Sequence, residues 1–147
     1  MRVKYLDANV IIYAIENHPK YGKNCKNILK AVESAELEVY ASTLILVEVI
    51  NVLCKLNRVL EKRGEKKLNI RKNIDAILSL PIKWIEPDFA IIRRASEYEF
   101  KVSGIDCVHV ASMELNLVDE IISADEELDK IGFVKRIDPS AFHKSNR

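Results

Sequence analysis

The chain has 147 residues, 48% of them hydrophobic and 31% charged, with a formal net charge of +1. That length suits one domain with its own core, so a single domain over residues 1–147 is expected. The apolar content excludes wholesale disorder, four glycines and four prolines exclude a collagen-like or low-complexity chain, and the near-neutral charge leaves any polyanion affinity to local patches.

Residues 3–6 read as a short strand ending at Asp7. Residues 9–16 place Val10, Ile11, Tyr13 and Ala14 at helical spacing, and Pro19 ends that run. Residues 21–35 predict a second helix with Cys25, Ile28, Leu29 and Val32 on one stripe. Residues 38–41 are a second strand, after which Ser42 or Thr43 caps a long helix over 44–56. Residues 69–80 are amphipathic and stop at Pro81. A third strand over 82–85 leads to a helix over 87–101 with Asp88 in its first turn. Gly104 opens a turn before a helix over 105–115. Residues 120–123 form a fourth strand that ends near Asp125. A short helix over 126–131, capped by Gly132, and a last strand over 133–137 follow.

Strands alternating with helices predict an α/β fold with a parallel sheet covered on both faces. Ligands in such folds sit beyond the carboxyl ends of the strands. The first residues do not read as a signal peptide, and no apolar run is long enough to span a bilayer. Cys25, Cys54 and Cys107 are scattered, which fits neither a disulfide framework nor a zinc site but suits a reducing cytoplasm.

Four acids stand out. Asp7 and Asp125 follow the first and fourth strands and share one sheet edge if those strands are parallel. Glu48 interrupts the apolar run Leu44-Ile45-Leu46-Val47-Glu48-Val49-Ile50, where a carboxylate is costly unless paired or bound to a cation. Asp106 begins another mostly apolar helix. Singly, each has a plain explanation: a turn residue, an ion pair, a helix-start acid or a cap. Together, carboxylates without a Cys or His partner form the ligand set of a hard cation, Mg²⁺ or Mn²⁺. An ion so held suits phosphodiester hydrolysis.

These residues resemble a known family. Tyr5-Leu6-Asp7-Ala8-Asn9, Ser42-Thr43 before the helix with Glu48, Gly104-Ile105-Asp106, and Ser123-Ala124-Asp125 occur in the order seen in PIN-domain ribonucleases. The resemblance spans essentially the whole chain. It implies a Rossmann-like α/β/α sandwich with a central parallel sheet, and a Mg²⁺- or Mn²⁺-dependent endoribonuclease acting on single-stranded or structured RNA. By position, the catalytic and metal-binding residues fall on Asp7, Glu48, Asp106 and Asp125. Asn9 and Ser123 match polar residues that orient carboxylates or water from behind. Many prokaryotic members are toxins of the VapC type, so a cognate antitoxin is an implied partner. A PIN nuclease of RNA processing or quality control without an antitoxin is the alternative.

Outside these motifs, His109 lies one turn after Asp106 and is placed to approach the site, but a satisfied core histidine on an apolar helix is the favoured reading, as Trp84 reads as core. His18 and His143 sit in polar ends. Tyr13 has helical apolar spacing, so packing is expected ahead of stacking on a base. Glu127 and Asp129 read as a solvated face. Lys55, Arg58, Lys62, Arg63, Lys66 and Lys67 make a basic stretch around Gly64, which suggests a mobile loop; it is either a solvated face or a phosphate-holding rim to the acidic pocket. On the 44–56 helix, Leu46, Val49, Ile50 and Leu53 are expected on one side, with Ile45, Glu48 and Val52 on the other. That apolar excess predicts a homodimer, the alternative being a monomer in which the helix is central and covered by residues 69–80. Two further classes keep an acidic pocket at strand ends. Asp-nucleophile phosphatases want a second Asp where Asn9 stands. A non-catalytic phospho-acceptor domain has only Asp88 to offer.

Overall fold

The computed structural model describes residues 2–142, so His143 lies outside the described residues. Five strands form one parallel sheet: β1 (Lys4–Leu6), β2 (Val39–Ser42), β3 (Lys83–Ile85), β4 (Glu120–Ile122) and β5 (Lys135–Ile137). Their order is β3-β2-β1-β4-β5. Helices α1 (Ala8–Ile15) and α2 (Gly22–Glu33) connect β1 to β2. Helices α3 (Leu44–Lys62) and α4 (Ile70–Leu78) connect β2 to β3, and α5 (Phe89–Glu97) and α6 (Gly104–Leu115) connect β3 to β4.

The sheet is apolar on both faces because both are covered. Leu6, Val39, Ala41 and Ile122 face one layer, made by α1 to α4. Tyr5, Ile85 and Ile121 point the opposite way, into α5, α6 and the apolar residues Leu128 and Ile131. Successive residues of one strand thus enter different cores, as the two-residue period requires. The result is the expected Rossmann-like α/β/α sandwich. The chain steps outward from β1 to β3 and returns to β4 beside β1, so the strand order reverses between β1 and β4. That reversal opens a crevice at the carboxyl ends of these two strands.

Several boundaries differ from expectation. α3 runs six residues past 56, because Lys55 to Lys62 contains mostly good helix formers. It stops at Gly64, whose φ of 66° lies in the left-handed region. The Glu65 amide donates to the Leu60 carbonyl and the Gly64 amide to that of Glu61, a Schellman closure. The segment beyond it is not a loose loop: the Asn57 side chain donates to the Leu68 carbonyl and accepts from its amide. α5 is shorter than expected, since Asp88 caps it from outside and Tyr98 turns to extended backbone. Residues 126–131 make a 3₁₀ turn, Glu126–Lys130, that ends at Ile131 without Gly132 taking a left-handed conformation. Ser42, not Thr43, supplies the hydroxyl at the start of α3, accepting from the Leu44 amide.

The two expected sides of α3 are also redrawn. Ile45, Val49 and Leu53, four apart, form the fully buried stripe, and Leu46 packs partly against the same core. Val47 and Ile50 are 61% and 40% exposed and border a shallow groove of about 390 Å³ with Glu48, Asn51, Cys54, Arg58 and Ile105.

Candidate metal centre

Asp7 leaves β1 as the N-cap of α1, its Oδ1 accepting from the Ala8 amide at 2.7 Å. It is buried, and its Oδ2 accepts from the Ser123 hydroxyl at 2.6 Å and the Asn9 side chain at 3.3 Å. Asn9 also donates to the Ser123 hydroxyl at 3.0 Å and accepts from the Ala124 amide at 3.2 Å. The Asp125 amide in turn donates to Ser123 Oγ at 3.0 Å. Asn9 and Ser123 therefore join the end of β1 to the loop after β4, and both hold Asp7. Asp125 caps the 3₁₀ turn through the Glu127 amide.

Asp106 stands in the first turn of α6, whose cap is the Ser103 hydroxyl. Glu48 projects from the second turn of α3. Because β2 is parallel to β1, α3 begins at the same sheet edge that Asp7 occupies. One ligating atom each of Asp7, Glu48 and His109 lie within 4.8 Å of one another.

The charges agree with this crowding. Burial raises the Asp7 carboxyl above the ordinary aspartate range, and the Glu48 charge adds to it, against relief from His109 and the Ser123 hydroxyl. Asp106 is raised by burial and then by the charges of Asp125 and Asp7. Asp106 thus lies in the field of both Asp125 and Asp7. His109 goes the other way: burial disfavours its cation, but hydrogen bonding to Glu48 and the charges of Asp7, Glu48 and Asp106 outweigh it and raise its pKa.

His109 is the residue that sequence reasoning placed in the core and undervalued at the site. It is buried, yet its Nε2 lies 2.6 Å from Glu48 Oε1 and its Nδ1 2.7 Å from the Tyr5 hydroxyl. Burial drives the Tyr5 hydroxyl toward higher pKa, so it keeps its proton; it donates to Nδ1 of the neutral ring and accepts from Nδ1–H of the imidazolium. The Nε2–H then donates to Glu48. Both ring nitrogens are committed, so His109 orients Glu48 and leaves the carboxylate oxygens as the groups open to a cation.

A second support was missed altogether. Arg136 on β5 makes a two-pronged ion pair with Asp129 at 2.9 and 3.0 Å, holds Asp138 at 3.0 Å and donates to the Ser123 carbonyl at 3.1 Å. Asp129 is therefore paired, not merely solvated. Trp84 packs partly buried against the core. Lys55, Arg58, Lys62, Arg63, Lys66 and Lys67 are all exposed, the first three on α3 and the rest beyond it. No helix of the described residues is long and apolar enough to cross a membrane. The three cysteines are free.

An open parallel sheet with carboxylates gathered at its switch point, held by hydroxyl, amide and imidazole partners, defines an α/β protein built around an acidic centre. The chain belongs to the PIN domain family, whose model matches residues 4–134. Among solved structures, the fold is similar to that of VapBC2 from Rickettsia felis bound to a promoter DNA fragment, with a TM-score of 0.66, 15% identity, and coverage of 92% of this chain and 97% of that one. It is similar to VapC20 of Mycobacterium tuberculosis, a sarcin–ricin loop cleaving toxin, at a TM-score of 0.64 and 16% identity, covering 90% and 97%. DNA-bound VapBC from Salmonella typhimurium gives a TM-score of 0.64 at 15% identity, covering 95% and 99%. At such identities the likeness is one of fold. No curated protein matches the chain by sequence.

Proposed function

We propose that this chain is a Mg²⁺- or Mn²⁺-dependent endoribonuclease and the toxin of a toxin–antitoxin pair, acting in the cytoplasm. The observation that carries the nuclease reading is the gathering of Asp7 and Glu48 with His109 within 4.8 Å, beside Asp106, whose carboxyl is raised by burial and then by the charges of Asp125 and Asp7. Such a cluster repels itself, and its donors are carboxylate oxygens, so it fits a hard divalent cation. Asp7, Glu48, Asp106 and Asp125 would hold that ion. When bound, it supplies Lewis acidity to a phosphate and lowers the pKa of a water. The chain's own residues do the rest: Asn9 and Ser123 fix Asp7, and His109 fixes Glu48.

Two other readings lose ground on particular contacts. Asn9, where a phosphatase wants its second Asp, spends its side chain on Asp7, Ser123 and Ala124. Asp88, the one phospho-acceptor candidate, caps α5 through the Ile91 amide. The antitoxin proposal rests on the folds the chain shares, among them a toxin–antitoxin complex from Klebsiella pneumoniae and the VapBC assemblies. The homodimer proposal rests on the exposed Val47 and Ile50 along α3.

The test is incubation with labelled single-stranded RNA in Mg²⁺, in Mn²⁺ and in EDTA. Products should carry 5′-phosphate and 3′-hydroxyl ends and vanish in EDTA. Cleavage that persists without metal, or that leaves a cyclic phosphate, rejects the proposal.

A further inference from the structure

The acidic centre has a neighbour with different chemistry. Beside it lies an open pocket of about 730 Å³ lined by Asn9, Tyr13, Asp125, Glu126, Glu127 and Lys130. Asn9 and Tyr13 are four apart on α1, so they share a face, with Tyr13 one turn beyond the residue that touches Asp7. Tyr13 is half-buried, and its hydroxyl has no hydrogen-bond partner among the described residues. Its ring runs nearly parallel to that of Tyr21, 10° apart with centroids at 5.5 Å, and lies 4.3 Å from the ring of His18.

The turn that follows α1 and carries His18 and Tyr21 is over-determined. Asn17 takes a φ of 51°. The His18 Nδ1 accepts from the amides of both Lys20 and Tyr21. Gly22 follows where a Cβ would come within 2.9 Å of the Asn17 backbone. Three rings are thus fixed before any ligand arrives, which lowers the ordering cost of binding one. The pocket's charge narrows what it accepts. Asp125, Glu126 and Glu127 repel phosphate, and Lys130 is already paired with Glu127. An uncharged, flat, N–H-bearing group suits an aromatic wall facing carboxylates that only accept.

We propose that Tyr13, backed by Tyr21 and His18, is a stacking subsite for a nucleobase of single-stranded RNA, adjoining the phosphate that enters the acidic centre. This rests on the nuclease reading above. It adds a substrate-binding role to Tyr13, whose half-buried ring also packs against the core as its helical spacing led one to expect.

The experiment compares binding of a labelled RNA pentanucleotide with its wholly abasic counterpart of equal charge, by fluorescence anisotropy in EDTA. The proteins are wild type, Tyr13→Phe, Tyr13→Leu and Tyr13→Ala, each checked for folding by circular dichroism. The wild type and Tyr13→Phe should prefer the base-bearing strand by roughly five- to a hundredfold. Tyr13→Leu, which keeps apolar bulk without the aromatic face, should lose most of that preference even if Tyr13→Ala fails to fold. An undiminished preference in Tyr13→Leu, or none in the wild type, overturns the subsite. Metal-dependent cleavage by the wild type, scored separately, tells whether the nuclease reading or only the subsite has failed.

Discussion

Glu48 Oε1 and His109 Nε2 lie 2.6 Å apart, joining α3 to α6 across the acidic centre. Behind that contact the Tyr5 hydroxyl closes on Nδ1 at 2.7 Å, so a side chain of the central strand fixes the ring that orients Glu48. Tyr5→Phe keeps the aromatic ring but leaves Nδ1 without a partner in a buried place. The loss should be about 1–3 kcal/mol in stability. Metal affinity should fall about 10–100-fold, as when other groups that support a ligand from behind are removed. Denaturant unfolding and Mn²⁺ titration calorimetry measure the two separately. Unchanged affinity in a folded Tyr5→Phe would show that Glu48 needs no such support.

Asp7→Asn should remove metal-dependent cleavage, by more than about 100-fold, if Asp7 is the direct ligand proposed above, since a ligand matters at least as much as its support. The same change should stabilise the metal-free protein at neutral pH. The folded-state pKa of Asp7 is raised by burial, so the fold binds that proton more tightly than the unfolded chain does. The stability this provides is present below about pH 4 and is lost as pH rises through the folded value. Thermal melting in EDTA from pH 4 to 8 should show the variant gaining on the wild type as pH rises. A variant less stable at pH 8 than at pH 4, relative to wild type, contradicts the sign.

His109 and Asp106 act in the same direction, for both are raised in the fold. The His109 contribution is present below about pH 6.5 and is lost above its raised folded value. Metal-free protein should therefore weaken from pH 6 to 9. On the proposed function, Mg²⁺ or Mn²⁺ would bind the deprotonated acids, so the gain in Tm on adding it should grow over the same interval. A metal-induced gain that shrinks with rising pH would place the ion elsewhere.

The places of Asp7 and Asp125 were legible because strands buried on both faces leave short apolar runs, Tyr5-Leu6 and Ile121-Ile122, with an acid soon after each. Glu48 was legible as a charge inside an apolar helix. The partner of Glu48 was not. His109 sits among Val108, Val110 and Ala111, and its sequence context describes a buried helix without telling how α6 meets α3. Arg136 was hidden for a similar reason, since its partners Asp129, Asp138 and the Ser123 carbonyl converge only once β5 lies beside β4. The extent of α3 was misjudged at Gly64, where left-handed backbone ends a helix rather than loosening a loop.

Arg136→Gln should expose that dependence. Its guanidinium holds Asp129 below the usual aspartate range, and with Ser140 it outweighs the effect of burial on Asp138. Stability from lowered acids is present above about pH 4 and is lost as pH falls through the folded values. The variant should lose about 1–3 kcal/mol at pH 7, an amount limited by the exposure of Asp129, and much less at pH 3. Urea unfolding at the two pH values measures the difference.

An RNA held at the acidic centre, as proposed above, should leave it along α3. Glu48, Asn51, Lys55, Arg58 and Lys62 follow one another at steps of three and four along α3, so they share one face of the helix. Glu48, Asn51 and Arg58 border the same groove. Ten residues separate Glu48 from Arg58, about 15 Å at the rise of an α-helix. A strand whose phosphate sits at the acids can thus run along this stripe from negative to positive charge. Replacing Lys55, Arg58 and Lys62 together by Gln should leave Tm nearly unchanged, because all three are exposed and have no ion-pair partner among the described residues. RNA affinity should fall, and the slope of log affinity against log salt should drop by about 0.7 for each phosphate the helix no longer neutralises, about 2 in all. The same triple change in the Asp7→Asn background, where cleavage is absent, keeps the measurement one of binding. An unchanged slope would assign the stripe to solvent and leave the RNA to exit by another face.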